Sequence, residues 1–233
     1  MPKKPISTVG LVMPEDFAVA PYEAIHSHVC TRKEACPHSW DQYAGAWNAV
    51  AYRFLSCMDH DKAFTESFER SGDAPPQPER YIQERALFGF FVTGLAALES
   101  LCYGLFAIAS MVDARTFPIT TPEDMRSITP ERTACQFGRA FPNESMTAAL
   151  RRVIGTSDFL DWKEVRNILA HRAAPGRIIP LRVSAACQHH HGGALWAKGI
   201  QISKKATGSR RKWLANTTCD LLTAADDFTN CHF

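Results

Sequence analysis

Apolar positions recur at helical spacing along most of this chain and predict an α-helical protein. Trp47, Val50, Ala51, Phe54, Leu55 and Met58 repeat at intervals of three and four, which puts them on one face of a helix from about 40 to 70. Phe64 and Phe68 continue that face beyond Asp59-His60-Asp61, a candidate break. Ser71-Gly72-Asp73-Ala74-Pro75-Pro76-Gln77-Pro78 is dense in turn formers and predicts a loop. A second helix is predicted from about 79 to 112. Its Leu87, Phe88, Phe90, Phe91, Val92, Leu95, Leu98, Leu101, Leu105 and Ile108 surround the axis instead of lining one side, and a helix apolar all round belongs at the centre of a bundle. Gly89, Gly94 and Gly104 let neighbouring helices come close, at a cost in helix propensity.

Residues 114–143 read as a connection punctuated by Pro118, Pro122, Pro130 and Pro142. Proline suits the first turn of a helix, so Pro122 and Pro130 can each open a short one. A short helix follows at 145–154 and ends at Gly155-Thr156-Ser157; the next is capped at Ser157 or Asp158 and stopped by Pro175-Gly176. Residues 178–183 and 195–202 predict two strands of a β-hairpin inserted within 177–202. A last helix from about 209 to 228 carries the stripe Trp213, Leu214, Leu221, Leu222, Ala225 and Phe228. Residues 1–39 are expected as an N-terminal extension, with a short strand at 6–13 and a helical turn or two within 16–30. The expected architecture is a mostly α, up-and-down helical bundle over 40–233 with one small β-hairpin insertion.

With 233 residues, 45% of them hydrophobic, the chain can bury a substantial core. A net charge of +2 excludes a globally basic nucleic-acid binder, so any nucleic-acid site must be a local patch. From Ala86 to Val112 the one charged residue is Glu99. That run is long enough to cross a bilayer. A charge at mid-span is costly there, and Arg85 and Asp113 flank it without an anchoring pattern; the reading is a buried helix and no membrane partner. Met1-Pro2-Lys3-Lys4 is basic, but the apolar run that follows is too short for a secretory leader. The eight cysteines are therefore expected as free thiols in a reducing cytoplasm.

The richest chemistry lies in Trp162-Lys163-Glu164-Val165-Arg166-Asn167-Ile168-Leu169-Ala170-His171-Arg172. At about 100° per residue, Trp162, Val165, Ile168 and Leu169 form an apolar arc. Arg166, Asn167 and His171 spread over roughly 140° of the opposite, outward side. Arginine is a permanent cation with a planar fork for phosphate oxygens. Histidine moves protons near neutral pH. Asparagine can hold an oxygen or orient the imidazole. Together they suit cleavage of a phosphodiester: His171 as base on a ribose 2′-hydroxyl, Arg166 stabilising charge on the phosphoryl oxygens.

Arg166-Asn167-Ile168-Leu169-Ala170-His171 resembles the Arg-polar-x-x-x-His motif of the HEPN superfamily (higher eukaryotes and prokaryotes nucleotide-binding domains). The motif's late position, after long helices, is similar too. The resemblance implies a HEPN-type bundle and a metal-independent endoribonuclease, with Arg166, Asn167 and His171 as its catalytic residues and no cofactor. It implies a homodimer through the motif helix, an RNA substrate, a toxin or phage-defence role and a cognate antitoxin as partner. The alternative within the same family is a non-catalytic dimerisation module that binds nucleotide, RNA or protein.

Three further features complete the reading. Glu99, alone in an apolar helix, needs a cationic partner; it is expected to support the site by orienting Arg166 or His171, the alternatives being solvent, Arg53 or Arg85. Lys204, Lys205, Arg210, Arg211 and Lys212 form the densest basic run, placed between hairpin and last helix, and are candidate RNA contacts. His26, His28, Cys30, Cys36, His38 and the Cys187-Gln188-His189-His190-His191 run are metal-ligand types. They lack a Cys-x-x-Cys pair, and they read as polar loops with no metal. No phosphate-cradling glycine loop, nucleophile elbow or zinc-protease helix is present in the sequence.

Overall fold

The computed structural model describes residues 10–171, 175–179 and 194–233. Its scaffold is a pair of long helices, α2 (Pro37–Ser71) and α3 (Gln77–Val112). They run antiparallel: Ser39 meets Ser110, Arg53 meets Ser100 and Cys57 meets Phe90. Gly72 closes α2 at a φ of 69°, its N–H donating to the Phe68 carbonyl, and that left-handed turn lets the chain reverse. Asp59-His60-Asp61 does not break α2. Tertiary partners hold it helical: the Asp61 carboxylate, nearly buried, meets Arg211 at 3.2 Å, and the His60 ring lies against Gly89.

The other helices wrap this pair: α1 (Val19–Cys30), α4 (Pro122–Arg126), α5 (Pro130–Ala140), α6 (Ser145–Ile154), α7 (Ser157–His171) and α8 (Lys204–His232). The region expected as an extension thus supplies a full helix to the core. Tyr22, Ile25 and Val29 of α1 are completely buried. The Tyr22 ring stacks on Trp47 at 4.9 Å, and its hydroxyl donates to the Trp47 carbonyl. Thr121 caps α4 and Thr129 caps α5, each ahead of a first-turn proline.

The strand expected at 195–202 is in fact two. Lys198 and Gly199 both take positive φ, 59° and 72°, and fold β1 (Leu195–Trp196) back on β2 (Ile200–Gln201). The upstream strand appears as one antiparallel bridge, Ile178 to Leu195, and 180–193 lies outside the described residues. Helix α8 starts five residues earlier than its apolar stripe suggests, because Ser203 caps it. The basic run is therefore helical.

Helix α3 is long and apolar enough to cross a membrane, but 72% of its most apolar window is buried within the protein. Most of its apolar surface is covered by other helices, with Phe88 and Val112 exposed. Among the described residues the seven cysteines are free thiols.

Candidate functional site

Helix α7 presents the sequence's richest chemistry. The Thr156 hydroxyl, not Ser157 or Asp158, caps it by accepting the Phe159 N–H at 3.2 Å. Phe159, Trp162 and Val165 are buried, while Ile168 and Leu169 are only half-covered. The Trp162 indole N–H donates to the Phe91 carbonyl at 2.8 Å, and its ring passes so close to Gly94 that a Cβ there would lie 2.2 Å away. Glycine at 94 is what lets α7 seat on α3.

Seating through Trp162 fixes Arg166. One helical turn on, Arg166 lies only about 40° around the axis from Trp162. It faces α3 instead of pointing outward as expected, and its side chain is 19% exposed. There the guanidinium binds the Glu99 carboxylate. Burial pushes the Glu99 carboxyl above its ordinary range; Arg166, then Arg53 and Lys163, pull against that, and Glu131 adds to it. Beside this pair the Lys163 ammonium binds Glu131 of α5. Burial works against the Glu131 charge, yet the Lys163 bond and nearby donors hold its carboxyl below the usual range. Two ion pairs thus join α7 to α3 and α5.

His171 is the last residue of α7 and is exposed. Asn167 is half-buried. Helical side chains lean toward the N-terminus, so Arg166 reaches back, away from His171. Among the described residues no hydrogen bond or ion pair links His171 with Arg166, Asn167 or Glu99. What α7 turns outward is a strip of Leu160, Glu164, Asn167 and His171, with Leu160 55% exposed.

Glu99 also opens on a groove of about 530 Å³ between α2, α3 and the turn at 128–130. Its rim carries Asp41, Gln42, Arg53, Ser100 and Tyr103. Arg53 donates to the Ser100 hydroxyl and to the Ala96 carbonyl. This groove escapes a helix-by-helix reading of the sequence. The signal for it was the polar trio Glu99, Ser100 and Tyr103, spaced to share one side of an otherwise apolar helix.

The basic run does not form one free face. Lys204 pairs with Glu69 at 2.8 Å, and Arg211 bridges Asp61 and Asp16. Arg210 donates to the Ala206 carbonyl and lies over the Phe91 ring at 5.6 Å. Lys205 and Lys212 are exposed. Of the N-terminal metal-ligand types, His26 meets Tyr43 and the Cys30 thiol, His28 meets Thr229, and His38 donates to the Ile119 carbonyl. Among the described residues no three metal-ligating side chains converge; Cys187 and His189, His190 and His191 lie outside them. No known protein family, curated protein or solved structure matches the chain.

Proposed function

We propose that the chain is a HEPN-type, metal-independent endoribonuclease, working as a homodimer through α7. The observation that carries this reading is the anchoring of Arg166: Glu99 holds a phosphate-binding fork in place, while His171 on the same helix is left exposed. A second copy packed along the Leu160–His171 strip supplies what one chain lacks, an imidazole facing another chain's arginine. One His171 takes the proton of a ribose 2′-hydroxyl. The 2′-oxygen attacks the adjacent phosphorus, and the bond to the 5′-oxygen breaks. The second His171 gives a proton to that leaving oxygen, yielding a 2′,3′-cyclic phosphate and a 5′-hydroxyl. Arg166 stabilises the charge on the phosphoryl oxygens. The nucleophile is the substrate's own hydroxyl, so the scheme calls for no metal-activated water.

A toxin or phage-defence role with a cognate antitoxin belongs to the same proposal. The second reading, a module that binds without turnover, draws on the separation of Arg166 from His171 within one chain. The test is cleavage of RNA by purified protein in excess chelator. His171→Ala should lower the rate about 10²–10⁴-fold with unchanged thermal unfolding, since the side chain is exposed. Equal cleavage by the variant overturns His171 as the base; no cleavage by the parent protein overturns the nuclease and leaves the binding module.

A further inference from the structure

We propose that the groove between α2 and α3 holds one unstacked nucleotide of single-stranded RNA; the inference rests on the ribonuclease reading and locates its substrate. At about 530 Å³ the groove falls within the size range of small-ligand sites. Its floor is the outer face of α2, where Gly45, Ala46 and Ala49 keep the surface flat. Nothing lies within 4 Å of where a Gly45 Cβ would stand, so that floor faces open space.

The two ends of the groove differ in chemistry. At one, Arg53 is oriented by the Ser100 hydroxyl and the Ala96 carbonyl, and among the described residues it has no carboxylate at ion-pair distance. The Glu99 carboxylate feels the Arg53 charge from beyond ion-pair distance, which leaves an oriented cation with N–H donors for a phosphate. At the other, the Tyr103 hydroxyl donates to the Gln42 side-chain carbonyl at 2.8 Å. That bond steadies an aromatic ring and leaves the Gln42 amide nitrogen to donate. Asp41 and Glu99 add acceptors along the same rim. An aromatic wall with one donor and two acceptors is what a splayed-out base requires, and single-stranded RNA is read through such bases. A free inorganic anion would use Arg53 alone. The groove shares Glu99 with Arg166, so a nucleotide lodged there lies next to the proposed site of cleavage.

The probe is a fluorescently labelled single-stranded oligoribonucleotide, with binding followed by anisotropy in the His171→Ala background so that it stays intact. The Cβ of Gly45→Leu meets no neighbour, its longer branches project over the floor of the groove, and the change improves helix propensity, so the fold should hold. It should weaken binding about fivefold or more, the scale of one lost base-stacking contact. Arg53→Gln should weaken binding and lower the slope of log affinity against log salt by about one. Affinity changed less than that by Gly45→Leu, with the salt slope unaltered in Arg53→Gln, overturns the proposal, as does a parent that binds no RNA at micromolar concentration. If wild-type protein cleaves and Gly45→Leu cleaves equally, the groove falls and the nuclease stands. If the groove variants lose binding while wild-type protein never cleaves, the nuclease falls and the groove stands.

Discussion

Arg166 of α7 is bound to Glu99 of α3, the one charged side chain between Ala86 and Val112, and that pair ties the motif helix to the centre of the bundle. It lies between two regimes. Exposed ion pairs contribute about 0–1 kcal/mol, whereas breaking a fully buried pair costs about 3–5 kcal/mol. With Arg166 19% and Glu99 36% exposed, and burial outweighing Arg166 at the Glu99 carboxyl, Glu99→Gln should destabilise by no more than about 1 kcal/mol. It should also impair RNA cleavage, because a neutral amide holds the guanidinium less firmly. Urea unfolding and a cleavage assay on the same preparation check both. Full activity in Glu99→Gln would show that Arg166 needs no such anchor.

Gly94 should be as sensitive as any residue with a reactive side chain. A Cβ at this position meets the Trp162 ring at 2.2 Å, and the ring is locked by its bond to the Phe91 carbonyl. Overpacking of this kind costs about 1–3 kcal/mol. Alanine's better helix propensity returns only about 1 kcal/mol. Gly94→Ala should therefore lower the unfolding midpoint and, by lifting α7, weaken the Arg166–Glu99 contact. Gly45→Ala, which meets nothing, is the control and should be neutral or stabilising.

These two sites show how far the residues alone carry. The all-round apolar pattern of α3 announced a central helix, and a lone Glu99 within it announced a need for a cation. Both follow from period and burial, which are local properties. The direction of Arg166 was harder. Its position on a helical wheel is at the border of the polar arc, and only the seating of Trp162 against Gly94 decides that it turns inward. Helix α1 was illegible for a different reason: Tyr22, Ile25 and Val29 are too few to show a period, and Trp47 of α2 and the surface of α8 are what make them core. The hairpin was misjudged because Lys198 is not a residue expected at positive φ. The groove beside Glu99 is invisible along the chain, since its walls come from three segments.

Two half-buried histidines should weaken the fold on acidification, against the opposite contribution of Glu99, whose raised carboxyl takes its proton more readily when folded. His60 and His26 both have pKa values lowered from the ordinary 6.5, in each case first by burial; Asp59 opposes the shift at His60 and Arg85 adds to it, and Glu23 opposes it at His26. A histidine whose folded pKa is depressed binds its proton more readily unfolded. Its contribution is present above about pH 6.5 and is lost as pH falls through the folded value. The urea midpoint should therefore decline on going from pH 7 to 5. The double variant His26→Gln/His60→Gln should flatten that decline. An equally steep slope in the double variant would assign the pH dependence to other groups.

The last prediction concerns Arg211, one of the five basic residues proposed to meet RNA. Its guanidinium spans Asp61 of α2 at 3.2 Å and Asp16, ahead of α1, at 3.3 Å. The Asp61 side chain is only 7% exposed, so removing its cation leaves a nearly buried carboxylate unpaired. Arg211→Met keeps the aliphatic stem and should still cost about 2–4 kcal/mol, just below the loss expected for a fully buried pair. Asp61→Asn in the same chain removes the stranded charge and should recover part of that loss, which a double-mutant cycle measures directly. Lys205→Gln and Lys212→Gln, at exposed positions of the same helix, should leave stability within about 0.5 kcal/mol of the parent. If RNA affinity follows Lys205 and Lys212 and not Arg211, the basic run divides into a structural cation and surface contacts. If Arg211→Met lowers affinity at full stability, the bridge to Asp16 and Asp61 is not what holds α8 in place.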